Sequence, residues 1–143
     1  MSVSISGKKK QLFLPFAKEI DEYYRDKFGY KTQCAWPRYP TVDISRAPLR
    51  LYLRFRPGGF WPDDSVVIAS IEFRKQRRGH GAELLKKFVE MSDRYELNSV
   101  GIEQTGPDES IQNFVRKFGF ENHRNDQNWL VSVSRLKEIL ASV

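Results

Sequence analysis

The stretch that decides the reading runs Ile71-Glu-Phe-Arg-Lys-Gln-Arg-Arg-Gly-His-Gly-Ala82. It joins two segments of different hydrophobic period. Before it, Ser65–Phe73 reads Ser-Val-Val-Ile-Ala-Ser-Ile-Glu-Phe, a nearly continuous apolar run that fits a central strand covered on both faces. After it, Leu84, Leu85, Phe88, Met91 and Tyr95 mark one face of a helix beginning near Gly81, with Glu83, Lys86, Lys87 and Glu90 on the other. Between the two, Gly79 and Gly81 let the backbone turn tightly with no Cβ in the way, so that consecutive N–H groups point into one hollow. The start of a helix favours an anion, and Arg74, Lys75, Arg77 and Arg78 add formal charge around it. A pyrophosphate suits such a hollow. Two glycines in this setting also suit a plain strand-to-helix turn. No Gly-Lys-Ser/Thr follows, which excludes a P-loop, and the third glycine and acidic residue of a dinucleotide fingerprint are missing.

Outward from this loop the chain reads as alternating strands and helices. Towards the amino terminus, Arg50–Arg56 alternates strictly, with Leu51, Leu53 and Phe55 on one side and Arg50, Tyr52, Arg54 and Arg56 on the other. This predicts a half-buried strand with a basic outer face. Phe13–Phe28 has helical spacing, with Pro15 suited to an early turn and Gly29 to the end. Tyr30–Pro48, rich in Pro and aromatics, reads as loop with a short strand at Val42–Ser45. Towards the carboxyl terminus, Asn98–Gln104 predicts a strand, and a helix starts at Pro107 and Asp108 with Ile111, Phe114, Val115 and Phe118 as its apolar stripe. Trp129–Val133 predicts a late strand and Arg135–Val143 a final short helix. The order argues for an α/β sheet.

The 143 residues suffice for one domain, 1–143, and 40% hydrophobic with 13% aromatic residues suffices for a core. One cysteine, Cys34, excludes an intramolecular disulfide and, with only His80 and His123, leaves no metal site expected. Cys34 itself reads as a small apolar residue. No run of about 18 apolar residues occurs, and no apolar stretch of signal-peptide type follows Lys8–Lys10, so a cytoplasmic location is expected. The net charge of +6 is lopsided: residues 1–60 carry twelve Lys/Arg against five Asp/Glu, the remainder twelve against thirteen. A basic half suits an anionic partner, or simply a solvated surface.

Gln76-Arg77-Arg78-Gly79-His80-Gly81 resembles the Q/R-x-x-G-x-G/A signature of the GCN5-related N-acetyltransferases, the GNAT superfamily. Val115-Arg-Lys-Phe-Gly-Phe120 is similar to the Tyr-x-Lys-x-Gly-Phe ending of that family's fourth helix. The resemblance covers about residues 65–133. It implies a single-domain fold with a mixed central sheet whose fourth and fifth strands splay, flanked by helices, and an acetyl-CoA site in that half. The main chain of Ile71 and Phe73 would meet the pantetheine arm as an added strand would. Gln76, Arg77, Arg78, Gly79, His80, Gly81 and Ala82 would hold the pyrophosphate through backbone amides, with Lys86, Lys87 or Lys117 near the 3′-phosphate. The family's usual helix tyrosine, a general acid beside the sulfur, is Val115 here, which cannot donate a proton.

The implied function is acetyl-CoA-dependent N-acetyl transfer by direct attack of an acceptor amine. That amine must lose a proton, for which Glu103 and Glu72 are the candidate bases. Both also read as ordinary strand residues, Glu72 pairing with nearby arginines. His80, between two glycines, is expected to turn its ring to solvent or to phosphates. Trp36, Phe60 and Trp61 either line an acceptor groove or anchor loops. Arg50, Arg54 and Arg56 are the expected face for an anionic macromolecular acceptor or partner, such as tRNA or an acidic protein. The alternative is a catalytically lapsed relative that binds nucleic acid or protein through its basic half, which Val115 favours and the intact glycine loop opposes.

Overall fold

A computed structural model describes residues 5–46, 49–73, 79–103 and 109–142. Its elements follow the order α1 (Ile5–Phe28), β1 (Ala35–Arg38), β2 (Thr41–Arg46), β3 (Leu49–Phe55), β4 (Ser65–Phe73), α2 (His80–Tyr95), β5 (Ser99–Ile102), α3 (Glu109–Lys117), β6 (Glu121–His123), β7 (Asn125–Ser132) and α4 (Val133–Ala141). The strands form one mixed sheet ordered β1-β2-β3-β4-β5-β7-β6, in which β4 and β5 run parallel and the other neighbours antiparallel. The expected architecture is therefore present.

The alternation of β3 explains how the layers are built. Leu49, Leu51, Leu53 and Phe55 are buried, and Ile71, Ile68 and Val66, the register partners of the last three, point the same way. Val100, Ile102, Val131 and Trp129 continue that side across β5 and β7. All four helices add to the same core: Phe16, Ile20 and Tyr24 from α1, Leu84, Leu85 and Phe88 from α2, Val115 from α3 and Leu136 from α4. The Phe16 ring meets Phe55 edge-on at 4.6 Å, and burying side chains of this kind contributes about 1.5–3 kcal/mol each.

The described helices thus cover one face of the sheet. The other face carries Trp36, Asp43, Arg50, Tyr52, Arg54, Ser70 and Glu72, and among the described residues it lies open except where the 56–64 segment folds Trp61 over it. The apolar run of β4 predicted a strand covered on both faces, and at Val66, Val67 and Ile68 both faces are indeed buried. The cover on the open side comes from a loop: Val67 is buried there in register with Gly101, on which the Trp61 ring lies.

Other boundaries differ from the sequence reading. α1 begins eight residues before Phe13 and holds Pro15 in its interior. The stretch before β2 contains β1, and β6 adds an edge strand next to β7. β7 begins before Trp129, and Val133 already belongs to α4. Arg56 does not continue the outer face of β3. Its φ of 47° turns the chain, and the side chain goes inward, where Nε donates to the Asp63 carbonyl at 2.9 Å and Nη1 lies 3.6 Å from Glu96.

Candidate functional site

The site is set by where β5 stops. β3 pairs with β4 as far as Leu49↔Phe73, but β5 pairs with β4 only from Ser65↔Ser99 to Ile68↔Ile102. The last link is the Glu103 N–H donating to the Ile68 carbonyl at 3.1 Å. A bulge in β4 falls just past this point, since Tyr52 pairs with Ser70 and Leu53 with Ile68, leaving Ala69 over. From 69 to 73, one edge of β4 has no strand against it among the described residues. Ile71 and Phe73, the two positions expected to offer main-chain groups to an extended ligand, lie on that edge.

β4 leads towards the start of α2. Gln76, Arg77 and Arg78 fall outside the described residues, as do Arg74, Lys75 and Asp108. Gly79 is the residue before the helix, at φ 76° in the left-handed region, and has no side chain with which to cap the first turn. Nothing lies within 4 Å of where its Cβ would be. The amides of His80, Gly81 and Ala82 follow directly, and such amides suit an anion.

Gly81 has a different reason to be glycine from the one its spacing gave. A Cβ there would stand 2.8 Å from Cε2 of Phe114, so the missing side chain lets α3 lie against the beginning of α2. His80 also departs from expectation. Its ring is half-buried and meets Phe28, at the end of α1, edge-on at 5.4 Å. Lys27, beside Phe28, forms an ion pair with Glu83 of the first turn of α2. Lys87 is held by Glu19 at 3.1 Å and Glu90 at 2.9 Å, and Lys117 lies over the Phe118 ring, so of the three lysines weighed for a phosphate Lys86 is the exposed one without such a contact described.

The two candidate bases and two of the candidate arginines turn out to be neighbours. Arg54 Nε donates to Glu103 Oε1 at 2.9 Å, reaching across β4, and the Glu103 side chain is only 13% exposed. Arg50 stands in register with Glu72, both exposed. Glu103 therefore sits where β4 and β5 part, held on one oxygen by a guanidinium, whereas Glu72 lies further along β4. Val115 is wholly buried in the core, so that position offers no proton. Across the open face from Arg54 lies Trp61. A Cβ on Gly101 would come within 2.6 Å of its indole, which therefore rests on bare β5 backbone. The indole stacks on His123 at 4.9 Å, and His123 Nε2 lies 2.7 Å from the Phe60 carbonyl. Trp61 is thus a loop anchor, while Phe60 and Trp36 remain exposed.

No family model matches the sequence, and no curated protein does. The architecture does resemble solved structures. The fold is that of the GCN5-related N-acetyltransferases. An acetyltransferase from Thermus thermophilus is similar with a TM-score of 0.50 at 13% identity, over 64% of this chain and 61% of that one. The match thus spans less than two thirds of that protein. A structure from Desulfovibrio desulfuricans named for the GNAT family gives 0.47 at 14% identity, over 65% and 67%. An AtaTR structure bound with AcCoA gives 0.48 at 15% identity, over 69% and 70%.

Proposed function

We propose that this chain is an acetyl-CoA-dependent N-acetyltransferase in which an acceptor amine attacks the thioester directly. The observation that carries this reading is the early end of β5, which among the described residues leaves the 69–73 edge of β4 without a partner strand, ahead of a helix whose N-cap is Gly79. The residues present fit the cofactor: the space at Gly79 and the amides of the first turn suit its phosphates, and the edge at Ile71 and Phe73 suits an extended amide-bearing arm. When bound, acetyl-CoA supplies an acetyl group activated as a thioester. This chain's own part is to orient and to move a proton. Glu103, held on one oxygen by the Arg54 guanidinium, accepts the proton of the amine on its second carboxylate oxygen. Glu72, exposed and away from the parting of the strands, is the weaker candidate. Position 115 holds a buried valine, so this chain would offer no tyrosine acid there to a departing thiolate. Holding amine and thioester side by side supplies much of the rate. The acceptor amine is carried by an anionic macromolecule, in keeping with the basic amino-terminal half.

Calorimetry and thermal melting with acetyl-CoA test the binding step. At about 100 times its dissociation constant the ligand should add about 2.7 kcal/mol of stability. Transfer of labelled acetyl groups to acceptor pools tests the chemistry, and Glu103→Gln should abolish most transfer while leaving the acetyl-CoA melting shift intact. Absence of any shift in the parent protein would sink the proposal.

A further inference from the structure

Arg54 commits only part of its guanidinium to Glu103. Nε donates to Glu103 Oε1 at 2.9 Å, while Nη1 and Nη2 make no hydrogen bond to any described residue. The side chain is 40% exposed on the open side of the sheet, and its guanidinium carbon lies 5.5 Å from the centre of the Tyr52 ring, two residues back on the same strand face. Among the described residues Glu103 is the one carboxylate within 4 Å of Arg54. Asp43 stands in register with Tyr52, and Glu72 with Arg50. A guanidinium has two edges that match a pair of oxygens, one made by Nε with an Nη and the other by the two Nη groups together. Glu103 uses Nε alone, so the second edge is left beside the carboxylate that takes the acceptor's proton.

We infer that the free edge of Arg54 recognises a carboxylate on the acceptor, and that the acceptor is a protein chain whose first residue is Asp or Glu. This rests on the reading of Glu103 as the base. An amine at the second oxygen of Glu103 and a carboxylate on the outer edge of the same guanidinium stand about 5 Å apart, given hydrogen bonds of ordinary length. The α-amine and the side-chain carboxylate of one amino-terminal acidic residue span that distance. The carboxylates around a lysine amine belong to other residues and keep no fixed distance from it. A phosphate also fits the edge, but it brings nearly two negative charges next to Glu103 where a carboxylate brings one.

The full chain is titrated without acetyl-CoA, so that failure here and failure of acetyl transfer are separate results. Anisotropy of short peptides labelled at their carboxyl ends reads the binding. An Asp-first peptide should bind roughly tenfold or more tighter than its Asn-first counterpart, and a peptide with Asp moved to the third position should bind like the Asn-first one. Arg54→Gln and Arg54→Lys should both bring the Asp-to-Asn ratio close to one, the second because an ammonium has no planar edge. Glu103→Gln leaves the outer edge in place and should preserve the preference. Circular dichroism confirms that the variants fold, and the peptide series on the parent chain stands without them. Equal binding of Asp-first and Asn-first peptides, indifference to the position of the Asp, survival of the preference in either Arg54 variant, its loss in Glu103→Gln, or tightest binding of a phosphoserine-first peptide overturns the inference.

Discussion

At the scale of single residues, the two glycines of the loop separate into two jobs. Gly79 answers to conformation, because its φ of 76° strains any residue with a Cβ although the space is free. Gly81 answers to packing against Phe114. Gly79→Ala should therefore cost about 1–2 kcal/mol wherever the rest of the chain is intact. Gly81→Ala should cost about 1–3 kcal/mol through overpacking, and much of that should disappear in a background where Phe114 is already Ala. Urea unfolding of the four members of that cycle checks the coupling, which should exceed about 0.5 kcal/mol. The spacing of the glycines was legible in the sequence. Their different reasons were not, because the second depends on a ring thirty-three positions away. Arg56 was misplaced for a related reason: alternation continues in the letters after the strand has ended in space, and the left-handed turn at that residue sends its side chain inward.

Elements were readable where hydrophobic period alone determines them. β4 matches its predicted span, and α2 starts within a residue of it, because both bury a continuous or strictly spaced apolar set. The start of α1 was not readable, since a proline normally placed in a first turn sits in mid-helix, where it removes one main-chain bond. β1 and β6 are short edge strands whose partners, rather than their own residues, define them. The seam between α1 and α2 is polar and depends on pairing invisible in either helix alone. Burial would raise the Glu19 pKa, but hydrogen bonds from Arg94, Tyr95 and Lys87 outweigh it and hold it at about 2. The stabilisation this gives is complete above the ordinary value near 4.5 and is lost as pH falls through about 2. Burial, then the bond to Glu19, pushes Tyr95 from 10.0 to about 12, so its share is present below pH 10 and lost as pH rises through 12. Glu19→Gln should flatten the acid limb of a melting-temperature profile between pH 4.5 and 2 and shift the alkaline limb down. An unaltered profile would show the seam to be inert.

For the molecule as a whole, one layer of helices on one face of the sheet leaves Trp61, among the described residues, as the cover of the other. Trp61→Ala should cost about 3–5 kcal/mol, a loss typical of core positions although the residue comes from a loop, and urea denaturation measures it. Among the described residues no helix is long and apolar enough to cross a membrane. The two-layer plan and the candidate site follow from the same event, the parting of β4 from β5 after four residue pairs where β3 follows β4 for seven. That parting writes a signature in deuterium exchange. Along 69–73, amides turned towards β3 are locked in the ladder and should exchange slowly, while those turned to the vacated edge should exchange quickly, giving fast and slow sites in one short strand. A molecule that settles in the gap would slow the fast sites and leave the slow ones as they were, so the strand itself records when its missing neighbour has been replaced.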